Sequence, residues 1–187
     1  MASTLIGKQA VVIGAGIGGL AAAGALADHF EQVVVLERDT LPSEPTHRAG
    51  TPQARHVHGL LLSGQRALSE LFPGFEQDLA RVGAVPLRAG LDVRVERPGY
   101  DPFPQRDLGW IGYAVSRPTI ERAVRHRVES CTNTTLRQHC RVEEVLASPN
   151  GEAVTGVRYE NGDGVTETIP ADLVVDASGR GAPLLLR

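Results

Sequence analysis

Three glycines stand at fixed spacing just after the first apolar run of the chain. Gly14, Gly16 and Gly19 follow residues 9–13 (QAVVI), match G-x-G-x-x-G, and precede apolar residues at helical spacing. In this context the first glycine makes a tight turn, the second admits a phosphate, and the third lets helix pack on strand. The helix start adds free N–H donors. The motif therefore predicts a site for the pyrophosphate of a dinucleotide.

An acidic residue closes the second apolar run, residues 32–36 (QVVVL), at Glu37. A carboxylate here in a βαβ unit accepts hydrogen bonds from both hydroxyls of an adenosine ribose and repels the additional phosphate of NADP. The glycine motif and Glu37 together predict FAD or NAD, and they do not distinguish the two.

Histidines and cysteines give weaker signals. His56 and His58 form H-x-H, but no third ligand stands at an informative spacing, so we predict no metal site. Cys131 and Cys140 are too few for a disulfide framework and lack the spacing of a zinc site. A reducing cytoplasm fits this cysteine usage best.

The composition is that of a globular domain, because 42% of the 187 residues are hydrophobic and 22% are charged. Disordered and fibrous classes are excluded. The net charge of -3, from 19 basic and 22 acidic residues, gives no overall attraction to a polyanion. We therefore expect no nucleic-acid partner.

The segment 9–27 is nearly uncharged and follows Lys8, so a secretory signal peptide is an alternative interpretation. Five glycines weaken a membrane-seeking helix, and the segment barely reaches the ~20 apolar residues of a membrane span. We favour the strand, turn and helix of a nucleotide-binding unit and expect no membrane span.

The elements that must position these residues begin with a right-handed βαβ unit over the first 37 residues. Residues 38–58 predict a long functional loop, and an amphipathic helix follows that stops at Pro73. Strands are predicted at residues 91–96 and 111–115. Ser116 then caps a further helix.

Asn-Gly pairs at residues 150–151 and 161–162 are typical of hairpin turns. They predict a three-stranded antiparallel meander over about residues 141–169, followed by a buried apolar strand at residues 171–176. The predicted fold class is therefore α/β, a Rossmann-like parallel sheet with an antiparallel meander, and residues 1–187 are read as one domain.

Several segments beyond the glycine motif resemble one flavoprotein family. They are Glu37-Arg38-Asp39, an arginine-bearing loop, Ser116-Arg117, the meander, and residues 171–180 (ADLVVDASGR). Together they resemble the FAD-dependent monooxygenases related to para-hydroxybenzoate hydroxylase and squalene epoxidase. Residues 52–58 (PQARHVH), followed by a leucine-rich helix, are similar to the branch with bacterial polyether epoxidases. The resemblance covers essentially the whole chain.

The resemblance implies contacts with FAD from the first motif. It assigns Gly14, Gly16 and Gly19 to the pyrophosphate. Glu37 is assigned to the ribose, and Arg38 lies beside the adenine. The cofactor implied is therefore FAD, with NAD(P)H as electron donor.

Later residues are assigned by the same resemblance. Arg48 and Arg55 match loop arginines along the cofactor, where a guanidinium suits phosphate oxygens. Arg117 matches an arginine that faces the FAD cleft, and Val142 matches a position whose backbone touches the adenine. Solvated loop arginines, and a capping or surface role for Arg117, are the alternatives.

Asp176, Gly179 and Arg180 correspond to a second cofactor motif, into which this sequence inserts Ala177-Ser178. An aspartate that only caps a turn is the alternative. No catalytic side chain is assigned, since in this family the flavin carries the chemistry.

The resemblance implies an epoxidase or hydroxylase of a small lipophilic molecule that uses NAD(P)H and oxygen. A reductase of the geranylgeranyl reductase type and a non-catalytic nucleotide-binding module are alternatives. Family members are longer and carry a third Gly-Asp motif and a substrate domain that this sequence does not contain. We therefore expect the N-terminal part of an FAD-binding domain, with a second chain as a possible source of the rest.

Overall fold

The structure is a computed structural model that describes residues 5–56 and 59–179. Its strands are β1 (Gly7–Ile13), β2 (Phe30–Leu36), β3 (Val85–Arg88), β4 (Ile111–Ala114), β5 (Thr134–Arg137), β6 (Arg141–Ala147), β7 (Val154–Glu160), β8 (Thr166–Pro170) and β9 (Leu173–Asp176). Its helices are α1 (Ile17–Ala27), α2 (Leu62–Leu71), α3 (Phe75–Arg81) and α4 (Arg117–Glu129). None of the helices in these described ranges combines the length and apolar character needed to cross a membrane.

A parallel sheet in the order β5-β2-β1-β9 lies at the centre of the fold. Its middle strand β1 pairs with β2 on one side and β9 on the other, so that Ile13 lies between Leu36 and Asp176. Val11 and Val12 point to opposite faces of β1, and both are fully buried. The continuous apolar runs therefore mark strands covered on both faces, as the sequence predicts.

Helices α1 and α4 pack on one face of this sheet. Ile120, Val124 and Val128 of α4 recur at every fourth position and are all buried in the main core. At the start of α4, Ser116 Oγ accepts a hydrogen bond from Thr119 N at 3.3 Å. The predicted cap and the predicted apolar face of this helix are confirmed.

The meander β6-β7-β8 packs on the opposite face. Val157, Tyr159 and Ile169 form a second core cluster with Val11 and Leu36 of the parallel sheet. The predicted antiparallel meander is confirmed, and with it the α/β fold class. Strand β6 also borders the loops that leave β1 and β2, which brings the meander to the candidate site.

The predicted strand at residues 91–96 is wrong. Leu91 and Asp92 form a turn, in which the Asp92 carboxylate accepts a hydrogen bond from Arg88 N at 2.7 Å. The strand lies earlier, at β3, and pairs antiparallel with β4 in a separate sheet. Val93 and Val95 are 45% and 44% exposed, so their alternation with charged residues does not mark a covered face.

Sequence periodicity also does not predict α3, β5 or a short 3-10 helix at Pro52–Arg55. Helix α3 has only seven residues and begins directly after Pro73-Gly74, which reads as a stop. Strand β5 is short and rich in threonine, and it becomes a strand because β2 pairs with it in parallel. Strand β5 and helix α3 have contacts with residues that are distant in sequence.

Candidate functional site

The turn between β1 and α1 requires two of its glycines. Gly14 has φ +97°, and a Cβ there would lie 2.7 Å from the carbonyl oxygen of Ala177. A Cβ on Gly19 would lie 1.9 Å from the carbonyl oxygen of Gly14. Gly14 therefore makes the turn and Gly19 allows the helix to pack against it, as the motif predicts.

Gly16 and Gly18 have different surroundings. A Cβ on either residue would meet no atom of the described chain within 4 Å. Both glycines line a cavity at the N-terminus of α1, where the first N–H groups of a helix have no partner within the helix. This open cradle at a helix start fits a phosphate group.

The cavity has a volume of about 810 Å³ and lies where β1, β2, β6 and the chain after β9 meet. It gathers most of the residues that the sequence assigns to a cofactor: Gly14, Gly16, Glu37, Arg38, Arg48, Arg117, Val142 and Gly179. More arginines than glutamates line it: Arg38, Arg48, Arg117, Arg141 and Arg158 against Glu37, Glu143 and Glu144. Of these arginines, Arg48 is paired with Glu37 and Arg158 with Glu144, and a guanidinium suits the oxygens of a pyrophosphate.

Glu37 lies at the end of β2 and is only 5% exposed. Its Oε2 accepts a hydrogen bond from Ala15 N at 2.7 Å, and its Oε1 accepts one from Asp39 N at 3.0 Å. Oε2 also lies 3.1 Å from Arg48 Nη1, so Oε1 is the oxygen that keeps a second lone-pair direction for a ligand hydroxyl. The carboxylate is therefore held in place at the wall of the cavity.

Arg48 lies at the centre of a buried ionic cluster. Its Nε donates to Glu121 Oε1 at 2.8 Å and its Nη2 donates to Ala15 O at 3.0 Å. Its Nη1 lies 3.1 Å from Glu37 Oε2 and 3.2 Å from Asp39 Oδ2. Burial lowers the pKa of Arg48, but the hydrogen bond and charge of Glu121, with the charges of Glu37 and Asp39, raise the pKa overall. Arg48 is therefore a fixed cation, not a solvated loop residue.

Two buried polar atoms near the cavity have no hydrogen-bond partner among the described residues. One is Nε of Arg117, which lines the cavity, and the other is Oδ2 of Asp176. The second oxygen of Asp176, Oδ1, accepts from Ser178 N at 2.9 Å and from Ser178 Oγ at 2.6 Å. A buried donor and a buried acceptor without protein partners fit a polar ligand that completes their hydrogen bonds.

Other assigned residues lie elsewhere. Gly19 is buried beneath the glycine turn, and Arg55 is exposed at the end of the 3-10 helix, outside the lining of the cavity. The contact of Arg55 with a cofactor stays a prediction. His58 and Arg180 lie outside the described residues.

Sequence reasoning missed Glu121. This residue is 6% exposed, and its partner Arg48 lies 73 residues earlier in the chain. No local pattern marks it, because Glu121 follows the apolar Ile120 on a helix with many other charged residues. Only the packing of α4 against the loop that follows β2 reveals the pair.

A second cavity, of about 520 Å³, lies beside the β3-β4 sheet. Its walls are mainly apolar and include Leu60, Leu87, Val95, Phe103 and Trp110. Phe103 is 60% exposed and Trp110 is 37% exposed. This cavity therefore offers an open apolar surface, in contrast to the charged cavity at the glycine turn.

Comparison with known proteins gives relatives along nearly the whole chain. Protein Rv3254 of Mycobacterium tuberculosis is 38% identical in an alignment of 184 residues, and the match covers 94% of this chain and 39% of the relative. Squalene monooxygenase 1,1 of Brassica napus is 28% identical over 169 residues, 90% of this chain and 31% of the relative. The chain thus spans less than half the length of these two relatives.

Solved structures share the fold. The myxobacterial chondrochloren halogenase CndH, described as an FAD-dependent halogenase, matches 95% of this chain and 38% of its own with a TM-score of 0.68 and 25% identity. The p-nitrophenol 4-monooxygenase PnpA of Pseudomonas putida matches 98% of this chain and 44% of its own with a TM-score of 0.66 and 18% identity. The second match shows likeness of fold alone.

A family match covers most of the chain. Residues 8–184 match the FAD binding domain family. The match contains the glycine turn, Glu37, the ionic cluster around Arg48, and the meander, so it includes every element of the charged cavity. The chain belongs to the FAD binding domain family.

Proposed function

We propose that this chain is the FAD-binding part of a flavin-dependent monooxygenase that oxidises a small lipophilic molecule with NAD(P)H and oxygen. The observation that carries the proposal is the charged cavity. This cavity combines the open cradle at Gly16 with the fixed carboxylate of Glu37. It also has Arg117 Nε in its lining and Asp176 Oδ2 nearby, and neither atom has a hydrogen-bond partner among the described residues. When bound, FAD supplies the electron-transfer and oxygen chemistry that no side chain provides.

Different residues of the cavity bind different parts of FAD. The start of α1 at Gly16 binds the pyrophosphate, and Glu37 accepts hydrogen bonds from the ribose hydroxyls. Arg38 and the backbone of Val142 contact the adenine. Arg117 donates its free Nε–H to the cofactor. The segment from Asp176 to Gly179 closes the cavity beyond β9.

The apolar cavity supports a lipophilic substrate. Leu87, Phe103 and Trp110 present an open surface that burial of an apolar molecule would stabilise. The chain's part in the reaction is then to orient this molecule and to exclude water. We propose that a region corresponding to the rest of the relatives' length completes the substrate pocket, and that the protein acts in the cytoplasm.

Absorbance spectroscopy of the purified chain titrated with FAD tests the proposal. We expect bound flavin near one equivalent, and NAD(P)H oxidation that depends on oxygen and on a lipophilic substrate once the region that completes the substrate pocket is present. Reduction of a double bond without oxygen uptake would instead indicate a reductase. Tight binding of NADH without any flavin would contradict the proposal.

Tryptophan fluorescence tests the substrate cavity separately. Trp110 is the only tryptophan in the sequence, so its emission reports on this cavity alone. We expect lipophilic candidates to shift the emission, and FAD to change it less. The variant Phe103→Ser should weaken the response to apolar ligands without changing FAD affinity.

A further inference from the structure

Arginines of helix α4 donate hydrogen bonds to the loop that follows β2. Arg122 Nε donates to Ser43 O at 2.7 Å, and Arg125 Nη2 donates to Pro42 O. Arg125 is 3% exposed. Residues further along this loop form one wall of the charged cavity. The face of α4 that contacts this loop therefore also supports one wall of the charged cavity.

A further contact of α4 reaches the glycine turn. Glu121 holds the Nε of Arg48, and the Nη2 of Arg48 donates to the carbonyl oxygen of Ala15. The N–H of Ala15 donates to Glu37. Both peptide groups of the fully buried Ala15 are thus fixed by charged side chains, directly before the cradle at Gly16.

The charges explain why Glu121 matters. Arg48 is surrounded by three carboxylates, of which Glu37 and Asp39 lie on the nucleotide side and Glu121 on the side of α4. The side chains of Arg48 and Glu121 are 7% and 8% exposed, so water screens their attraction little. Removing the charge of Glu121 leaves Arg48 attracted only toward Glu37 and Asp39. Its hydrogen bond to Ala15 O then weakens.

We infer that Glu121 is a positioning residue for the nucleotide site. Through Arg48 it holds the turn at Ala15 and the carboxylate of Glu37 in the arrangement that receives the ADP half of FAD. Glu121 is absent from the lining of the cavity, so it acts through Arg48 and does not touch the ligand. The inference rests on the proposed binding of FAD in this cavity.

Binding titrations with FAD, ADP and FMN test the inference, because FMN carries the flavin without the adenosine half. Glu121→Gln should raise the dissociation constants of FAD and ADP about tenfold, the change expected when one charge-assisted hydrogen bond is weakened. The constant for FMN should stay within about twofold. The control is Glu70→Gln on helix α2, whose side chain is exposed and outside the lining of the cavity, and it should leave all three constants unchanged.

Each result decides the matter. Unchanged FAD and ADP binding by Glu121→Gln, or an equal loss for FMN, overturns the inference while the proposed function stands. Absence of FAD binding by the wild type overturns both. Should Glu121→Gln fail to fold, Glu121→Asp keeps the charge and shortens the side chain, and it should weaken ADP binding selectively. Failure of both variants to fold assigns Glu121 to folding and contradicts the inference.

Discussion

Two glycines of the same turn differ in what surrounds them. A methyl group on Gly16 would enter the open cradle of the charged cavity, whereas one on Gly19 would collide with the carbonyl oxygen of Gly14 at 1.9 Å. Gly16 has φ -73° and ψ 173°, which alanine adopts without strain. A substitution at Gly16 therefore tests ligand binding, whereas a substitution at Gly19 tests the packing of the helix against the turn.

Gly16→Ala is expected to fold normally and to lose FAD affinity by at least about tenfold, since its methyl group occupies the space of the pyrophosphate. Gly19→Ala is expected to lose about 2 kcal/mol of unfolding free energy, because helix and strand must move apart. Thermal unfolding and FAD titration of both variants measure these effects. A Gly16→Ala variant that binds FAD like the wild type would place the phosphate elsewhere.

At the scale of elements, helix α4 links the hydrophobic core to the charged cavity and to the ionic cluster around Arg48. Its start presents Arg117 to the charged cavity, and one turn later Glu121 reaches Arg48. Its apolar face fixes the rotation of the helix by packing Val124 in the core. The cap at Ser116 sets where the helix begins, and therefore where Arg117 lies.

Ser116→Ala removes the hydrogen bond to Thr119 N and should lower the unfolding free energy by about 1 kcal/mol. FAD affinity should fall modestly as the first turn frays and Arg117 moves. Ser116→Asp is the matched variant, because aspartate also caps helices and should retain most of the stability. Chemical denaturation measures both variants, and equal stability of Ser116→Ala and wild type would contradict the role of the cap.

At the scale of the whole molecule, the parallel sheet joins distant parts of the chain. Strand β9 pairs with β1, and the Oδ2 of Asp172 before β9 accepts hydrogen bonds from Lys8 N at 2.7 Å and Gln9 N at 3.0 Å. These backbone hydrogen bonds, that from Gln9 first, lower the pKa of Asp172. The carboxylate therefore couples the closing of the sheet to pH.

A carboxyl whose pKa is lowered by folding stabilises the protein above its unfolded pKa, ~3.9, and this contribution disappears as the pH falls through the folded pKa. We expect the melting temperature of the wild type to fall with acidification below about pH 4. Asp172→Asn should melt lower at neutral pH and show a smaller further decrease in acid. Melting curves between pH 7 and pH 3 measure this difference, and parallel curves would contradict it.

Much of the fold could be predicted because its signals are local. The Asn-Gly pairs predict the hairpins of the meander, and Ser116 together with Pro118 predicts the start of α4. The errors concern elements whose signals are not local. Strand β5 depends on pairing with β2. Pro86 argues against a strand in the sequence at β3, which forms because it pairs with β4.

The sequence by itself determined the glycine turn, the carboxylate of Glu37 and the alternation of sheet and helix, since each follows from steric and periodic rules within a short segment. Only the tertiary structure decided how the charges are used. It pairs Arg48 with three carboxylates from two parts of the chain, leaves Arg117 Nε unpaired among the described residues, and keeps Arg55 outside the cavity. The physical reason is that an ion pair depends on distance in space, and Arg48 meets Glu121 only when α4 packs beside the loop.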